Sequence, residues 1–204
     1  MELLKKGCLI CIAGICIGIG VGIILYANIG GDTVTVFQDG LHIILNVSYG
    51  QSSRIYNGVL IIIALLVARK YFGVGTIISA LITGYAIDFA YDGLSALNLN
   101  LNFISLLVVF MVGQTIYTIG LSILIRCKLG MNALDSLLYR LIEIIKIDYR
   151  WIRLITDLLL TAIGYLLGGI VGVGTVISIA CTGIMIDFFT KIGGKNETNI
   201  KNIS

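Results

Sequence analysis

The chain has 204 residues, of which 58% are hydrophobic and only 12% charged, with a formal net charge of +3 and a mean hydropathy of +1.03. A soluble domain carries roughly 25% charged residues to coat its surface, so a water-soluble globule is excluded and much of the surface must face lipid. The net positive charge does not point to nucleic acid, because the basic residues sit at the ends of apolar segments.

A membrane-spanning helix needs about 20 mostly apolar residues. The first such segment is 7–27, too long for the apolar core of a signal peptide and read as a retained span. It carries Gly14, Gly18 and Gly22 on one face, a spacing that seats a neighbouring helix closely. It also holds Cys8, Cys11 and Cys16, which together with Cys127 and Cys181 read as small apolar residues, with no disulfide framework or metal site.

The stretch 33–46 has helical period but places Thr35, Gln38, Asp39, His42 and Asn46 on one face. Such an amphipathic helix lies in the membrane interface or enters partway and returns. Spans follow at 52–69, 72–91 and 101–125. A second amphipathic stretch, 131–147, carries Asn132, Asp135, Ser136, Tyr139, Glu143 and Lys146. Spans at 151–169 and 172–190 complete a count of six.

The positions of Lys and Arg test that count. With the amino terminus cytoplasmic and only these six segments crossing, 13 of the 14 basic residues fall inside and Arg54 alone falls outside. The positive-inside rule expects this bias. Both termini are therefore expected in the cytoplasm, and the polar tail 193–204 is expected to be disordered.

Residues 73–89 read GVGTIISALITGYAIDF and residues 172–188 read GVGTVISIACTGIMIDF, identical at 11 of 17 positions at a spacing of 99. At a spacing of 99 or 100, Ala13 aligns with Gly113, Gly20 with Gly120, Gly30 with Gly130, and Arg54 with Arg153. The expected fold is thus all-α and polytopic: a 3+3 inverted repeat of 1–97 and 98–192, each half with an extra amphipathic or re-entrant helix. Three crossings per half force the second copy to enter from the opposite face, a plan that recurs in secondary transporters.

These residues carry a family resemblance. KLGMNALDSLLYRL from Lys128, then Arg153, Asp157 and GYLLGGIVGVGT from Gly164 resemble the bacterial YczE/YyaS/YitT membrane proteins, as do ANIGGDTVTVFQDGL from Ala27 and SYGQSSRIYNG from Ser48. The resemblance implies a multi-pass protein of the bacterial plasma membrane and a transport role without a named substrate. The chain departs from the family in lacking a proline before an aspartate in the loop after the first span of each half. Thr35 stands where the second half keeps Asp135.

Several polar residues fall within the spans. Thr76 and Ser79 on the third span are recreated by Thr175 and Ser178 on the sixth, either packing these two helices on each other across the repeat axis or lining a path. Asn57, Gln114 and Asp157 are further buried polar groups. Asp157 lies four residues past Arg153, either as its helical ion-pair partner or as a carboxylate coupling a proton or cation. The repeat also predicts two structural ion pairs, Arg54–Asp88 and Arg153–Asp187. With His42 the sole histidine, no catalytic dyad or histidine metal site can be assembled, and neither enzymatic chemistry nor a cofactor is expected. The leading expectation is a permease for a small solute or ion, working through Asp157, Gln114, Asn57, Thr76, Ser79, Thr175 and Ser178. The competing one is a non-transporting subunit or scaffold that works with a partner protein or as a homo-oligomer.

Overall fold

The computed structural model describes residues 2–71, 73–127 and 132–192, so the tail 193–204 lies outside the described residues. All regular structure among them is helical: α1 (Glu2–Ala27), α2 (Thr33–Leu45), α3 (Tyr49–Val67), a 3-10 turn (Arg69–Tyr71), α4 (Val74–Ala96), α5 (Phe103–Cys127), α6 (Ala133–Ile145), α7 (Tyr149–Leu166) and α8 (Val173–Ile192). The helix breaks come from capping rather than from proline. Ser48 and Gln51 close a reciprocal capping box on α3. Asn46 (φ 51°) and Lys146 (φ 58°) end α2 and α6 in the left-handed conformation, 100 residues apart.

Among the described residues, five helices are long and apolar enough to cross a bilayer: α1, α3, α4, α5 and α8. The expected sixth span, α7, has 18 residues and carries Arg150, Arg153 and Asp157, so length and composition alone do not make it one. Large apolar side chains point outward along the bundle, among them Leu66, Phe89, Ile104, Leu166 and Ile184, as helices bathed in hydrocarbon require. On α2 the usual polarity is reversed: Thr33, Thr35, Gln38 and Asp39 are buried while Ile43, Ile44 and Leu45 are exposed.

Close glycine contacts build the spine. α4 runs parallel to α1 along the predicted glycine face, with Gly14 against Ile82, Gly18 against Ala86 and Gly22 against Ala90. α5 crosses α1 antiparallel: Gly20 lies on Tyr117, Gly120 on Ile17 and Gly113 on Ile23. The buried cluster of Ile17, Val21, Leu25 and Ile87 fills the space between these three helices, with Tyr117 against it. α8 packs on α5 and α3 on α4, while α2 lies along α7 and α6 along α3. Exchanging the halves maps α1–α4 onto α5–α8, α2–α3 onto α6–α7 and α2–α7 onto α3–α6, and all of these pairs are in contact. The largest exception is α3–α4, which has no comparable packing of α7 on α8.

Two expectations are corrected here. The Thr76–Ser79 and Thr175–Ser178 faces do not pack α4 on α8, because the crossing glycines of α1 and α5 take the central position and hold α4 and α8 to either side. The alignment of Arg54 with Arg153 also fails. α3 and α7 begin 100 residues apart, at Tyr49 and Tyr149, so Arg153 occupies the place of Ser53; the spacing falls to 99 by the ends of these helices, at Val67 and Leu166.

Candidate functional site

The chain does not run straight on from α1. After Ala27 it turns back, with Gly31 beside Ile24 and Gly30 against Gly172 and Thr175 of the α8 start; Gly174 N–H donates to Ile29 O at 2.9 Å. This turn carries Asp32 inward to cap α2. Its carboxylate accepts from Thr35 N–H at 3.2 Å and from the Thr35 hydroxyl. From α5, Tyr117 Oη donates to the same carboxylate at 3.1 Å.

One residue further, Thr33 Oγ1 donates to Asp157 Oδ1 on α7 at 2.9 Å. The other Asp157 oxygen accepts from Arg153 Nε at 2.9 Å, and Arg153 Nη1 reaches across to Asp135 Oδ1 on α6 at 3.0 Å. Tyr149 Oη donates to that Asp135 oxygen at 3.3 Å. A polar chain thus joins the starts of α2 and α6 through α7. Both starts present the positive end of a helix dipole. Tyr56 of α3 is only 7% exposed, lies within electrostatic reach of Asp32, Asp135, Asp157 and Arg153, and its hydroxyl has no partner.

The network is lopsided with respect to the repeat. At the spacing of 100, Asp135, Arg153 and Asp157 stand opposite Thr35, Ser53 and Asn57, while Asp32 stands opposite Asn132. Asn57 Nδ2 donates to Ser53 O at 2.9 Å, the neutral counterpart of the Arg153–Asp157 pair. Burial raises the Asp135 carboxyl above its ordinary range, opposed by the Arg153 guanidinium and the Tyr149 hydrogen bond. Asp39 on α2 is likewise raised by burial, opposed by Ile170 N–H, which donates to it at 2.8 Å, and by His42.

The remaining sequence-predicted residues lie apart from this network. Gln114 donates to Thr182 Oγ1 at 2.7 Å and accepts from Ser178 Oγ at 3.1 Å, which locks α5 to α8 with both ends of the amide satisfied. Thr175 Oγ1 accepts from Gly172 N–H at 3.3 Å and caps its helix. Ser79 Oγ donates to Thr76 O at 3.2 Å on the buried face of α4 toward α1. These groups serve helix interfaces. A cleft of about 10 Å³, room for one water, is lined in part by Gly31, Thr35, Asp39 and Ile170.

Of the two predicted ion pairs, Arg54 and Asp88 meet at 3.4 Å, and Asp88 also accepts from Gly50 N–H at 2.7 Å and Ser48 Oγ at 3.0 Å. The Arg153–Asp187 contact is not formed, because α7 does not pack on α8. Arg153 turns to Asp135 and Asp157 instead, and Asp187 pairs with Lys191 at 2.6 Å on its own helix. Asp32, Thr33, Tyr56 and Tyr117 were not among the predicted site residues. Only the GGDT that follows α1, repeated as GMNA, hinted at a shared cap.

The family model described as "Family of unknown function (DUF6198)" matches residues 4–191. The chain is 25% identical over 176 residues to an "Uncharacterized protein" of Haemophilus influenzae, covering 86% of this chain and 79% of that one. It is also 25% identical over 139 residues to the "Uncharacterized membrane protein YczE" of Bacillus subtilis, covering 68% of this chain and 63% of that one. No solved structure matches.

Proposed function

We propose that this multi-pass membrane protein, which belongs to the DUF6198 family, is a secondary transporter of a small solute or ion with its working site at the Asp32–Asp157–Arg153–Asp135 network. In this reading α7 is the sixth span, the halves are inverted copies, both termini are cytoplasmic in a bacterial plasma membrane, and no enzymatic step is involved. The antiparallel crossing of α1 and α5 supports inversion, since repeat mates that cross antiparallel are related by an axis perpendicular to the helices. The reversed polarity of α2 supports a re-entrant helix, apolar toward lipid and polar toward protein.

The observation that carries the reading is the charged network itself. Placing an ionised side chain within the bilayer costs on the order of 3 kcal/mol, and such groups mark ion and substrate paths. Here three carboxylates and a guanidinium gather at two helix starts, one from each half. A second reading, a non-transporting subunit that works with a partner, draws on the small volume of the cleft beside the network.

The test is flux. Purified protein in proteoliposomes is expected to move at least one solute or ion of a broad panel, with the rate changed by a pH gradient. Asp157→Asn should bring that flux to background, while Asp187→Asn, whose side chain is exposed on α8, should leave it unchanged. Absence of flux under every gradient, with a stoichiometric partner co-purifying from native membranes, would establish the subunit reading instead.

A further inference from the structure

We infer that Asp135 is a proton-loading site, and that taking up one proton breaks the ion pair between α6 and α7. Two carboxylates, Asp135 and Asp157, share the single guanidinium of Arg153, and a third, Asp32, joins the same polar chain through hydroxyl groups, leaving the network short of positive charge. The unpartnered Tyr56 hydroxyl is a second and independent sign of a vacant hydrogen-bonding position among these groups. A metal ion does not suit the vacancy, since among the described residues no three His, Cys, Asp or Glu side chains are grouped to hold one. Arg153 stands between Asp135 and Asp157 and keeps their oxygens from converging. A proton needs no such convergence.

The three carboxylates are not equivalent. Asp32 is committed to capping α2 and to Tyr117. Asp157 is bound to Arg153 one turn away on its own helix and to Thr33. Asp135 is the one tied by its ion pair to a different helix, and its side chain is 31% exposed. The groups facing it are Arg153, Tyr149 and Asp157 from α7 and Tyr56 from α3, while Lys70 of the 3-10 turn meets α6 further along, at Glu143. Burial already disfavours the charged form of Asp135. On protonation a carboxylate oxygen becomes a hydroxyl, the ionic contact with Arg153 is lost, and Arg153 keeps Asp157. The charge tie between α6 and α7 goes with it, and the new hydroxyl can bond to the network that Tyr56 faces.

Proton binding stands without transport; its use as a coupling step rests on the permease reading. The experiment is an infrared pH titration of the full-length protein in lipid nanodiscs, following the protonated-carboxyl stretch. The wild type is expected to show a carboxyl titrating above the ordinary aspartate value of about 3.9. In an Asp39→Asn background, used throughout because Asp39 is the other carboxyl raised by burial, Asp135→Asn should remove that band, Asp135→Glu should restore one, and Asp187→Asn should leave it in place. Tyr56→Phe should change the proton affinity by about threefold or more, since it removes the free hydrogen-bonding group. If Asp135→Asn does not fold, the Glu and Tyr56→Phe variants carry the test, and an unmoved midpoint in both overturns the inference. A band that survives Asp135→Asn, or no raised carboxyl in the wild type, also overturns it, even where flux is seen. A band that behaves as expected without flux overturns the permease reading alone.

Discussion

Gly20→Leu is expected to abolish recovery of monodisperse protein from detergent extracts, whereas Gly58→Leu should leave yield and melting temperature unchanged. A Cβ at Gly20 would stand 2.5 Å from Tyr117 N and 2.7 Å from Tyr117 Cα, so the obstruction is backbone and cannot swing aside. Gly120 meets Ile17 N at 2.7 Å in the same way, so the crossing has no slack on either helix. Lipid tails are as apolar as leucine, and helices in a bilayer are held by close packing rather than by escape from water. Overpacking a well-filled interface costs about 1–3 kcal/mol for a small increment, and leucine adds far more than one methylene. Gly58 has nothing within 4 Å of its would-be Cβ. A Gly20→Leu protein that elutes as a sharp peak with the wild-type melting temperature would refute the crossing as described.

Arg153→Leu should be the most damaging charge change in the chain. It leaves Asp135 and Asp157 without their shared counter-charge. Removing one partner of a buried ion pair costs about 3–5 kcal/mol. The side chains of Arg153, Asp135 and Asp157 are 35%, 31% and 26% exposed, so the loss should fall to about 2–3 kcal/mol. Arg54→Leu should cost about 1 kcal/mol, because Asp88 keeps its hydrogen bonds from Gly50 N–H and Ser48. The decisive comparison is Arg153→Leu with Asp135→Asn and Asp157→Asn added. With no charge left to compensate, the triple variant should melt above Arg153→Leu alone, and failure to recover would show that Arg153 acts through packing rather than charge.

Local pattern was enough to locate most of the helices. Hydropathy runs marked α1, α3, α4, α5 and α8, and the helical spacing of polar residues marked α2 and α6, whose observed bounds of 33–45 and 133–145 fall within the expected stretches. The Gly14–Gly18–Gly22 face was readable as a seat for a neighbour, but which helix sits there was not. What escaped were properties of pairing. Thr33 and Asp157 are 124 residues apart, and no periodicity in either segment reports that they touch. Tyr56 and Tyr117 look like ordinary aromatic residues of apolar helices until the fold brings them against charge. The alignment of Arg54 with Arg153 was off by one residue because the identity that fixes the spacing lies in α4 and α8, beyond the point where the two copies differ in length. One residue is about 100° around a helix, enough to turn a side chain from α8 toward α6.

The two copies also differ mechanically. The first is clasped: Asp88 binds the α3 start through Gly50, Ser48 and Arg54, which ties α3 to α4. The second has no such clasp, and α7 leads to α8 through a loop that opens with Gly168 at φ +100° followed by Gly169. That loop is fastened to α2 of the other copy, where Ile170 N–H meets Asp39, while α8 stays bolted to α5 through Gln114. The last two helices of the second copy are thus divided between neighbours from both halves.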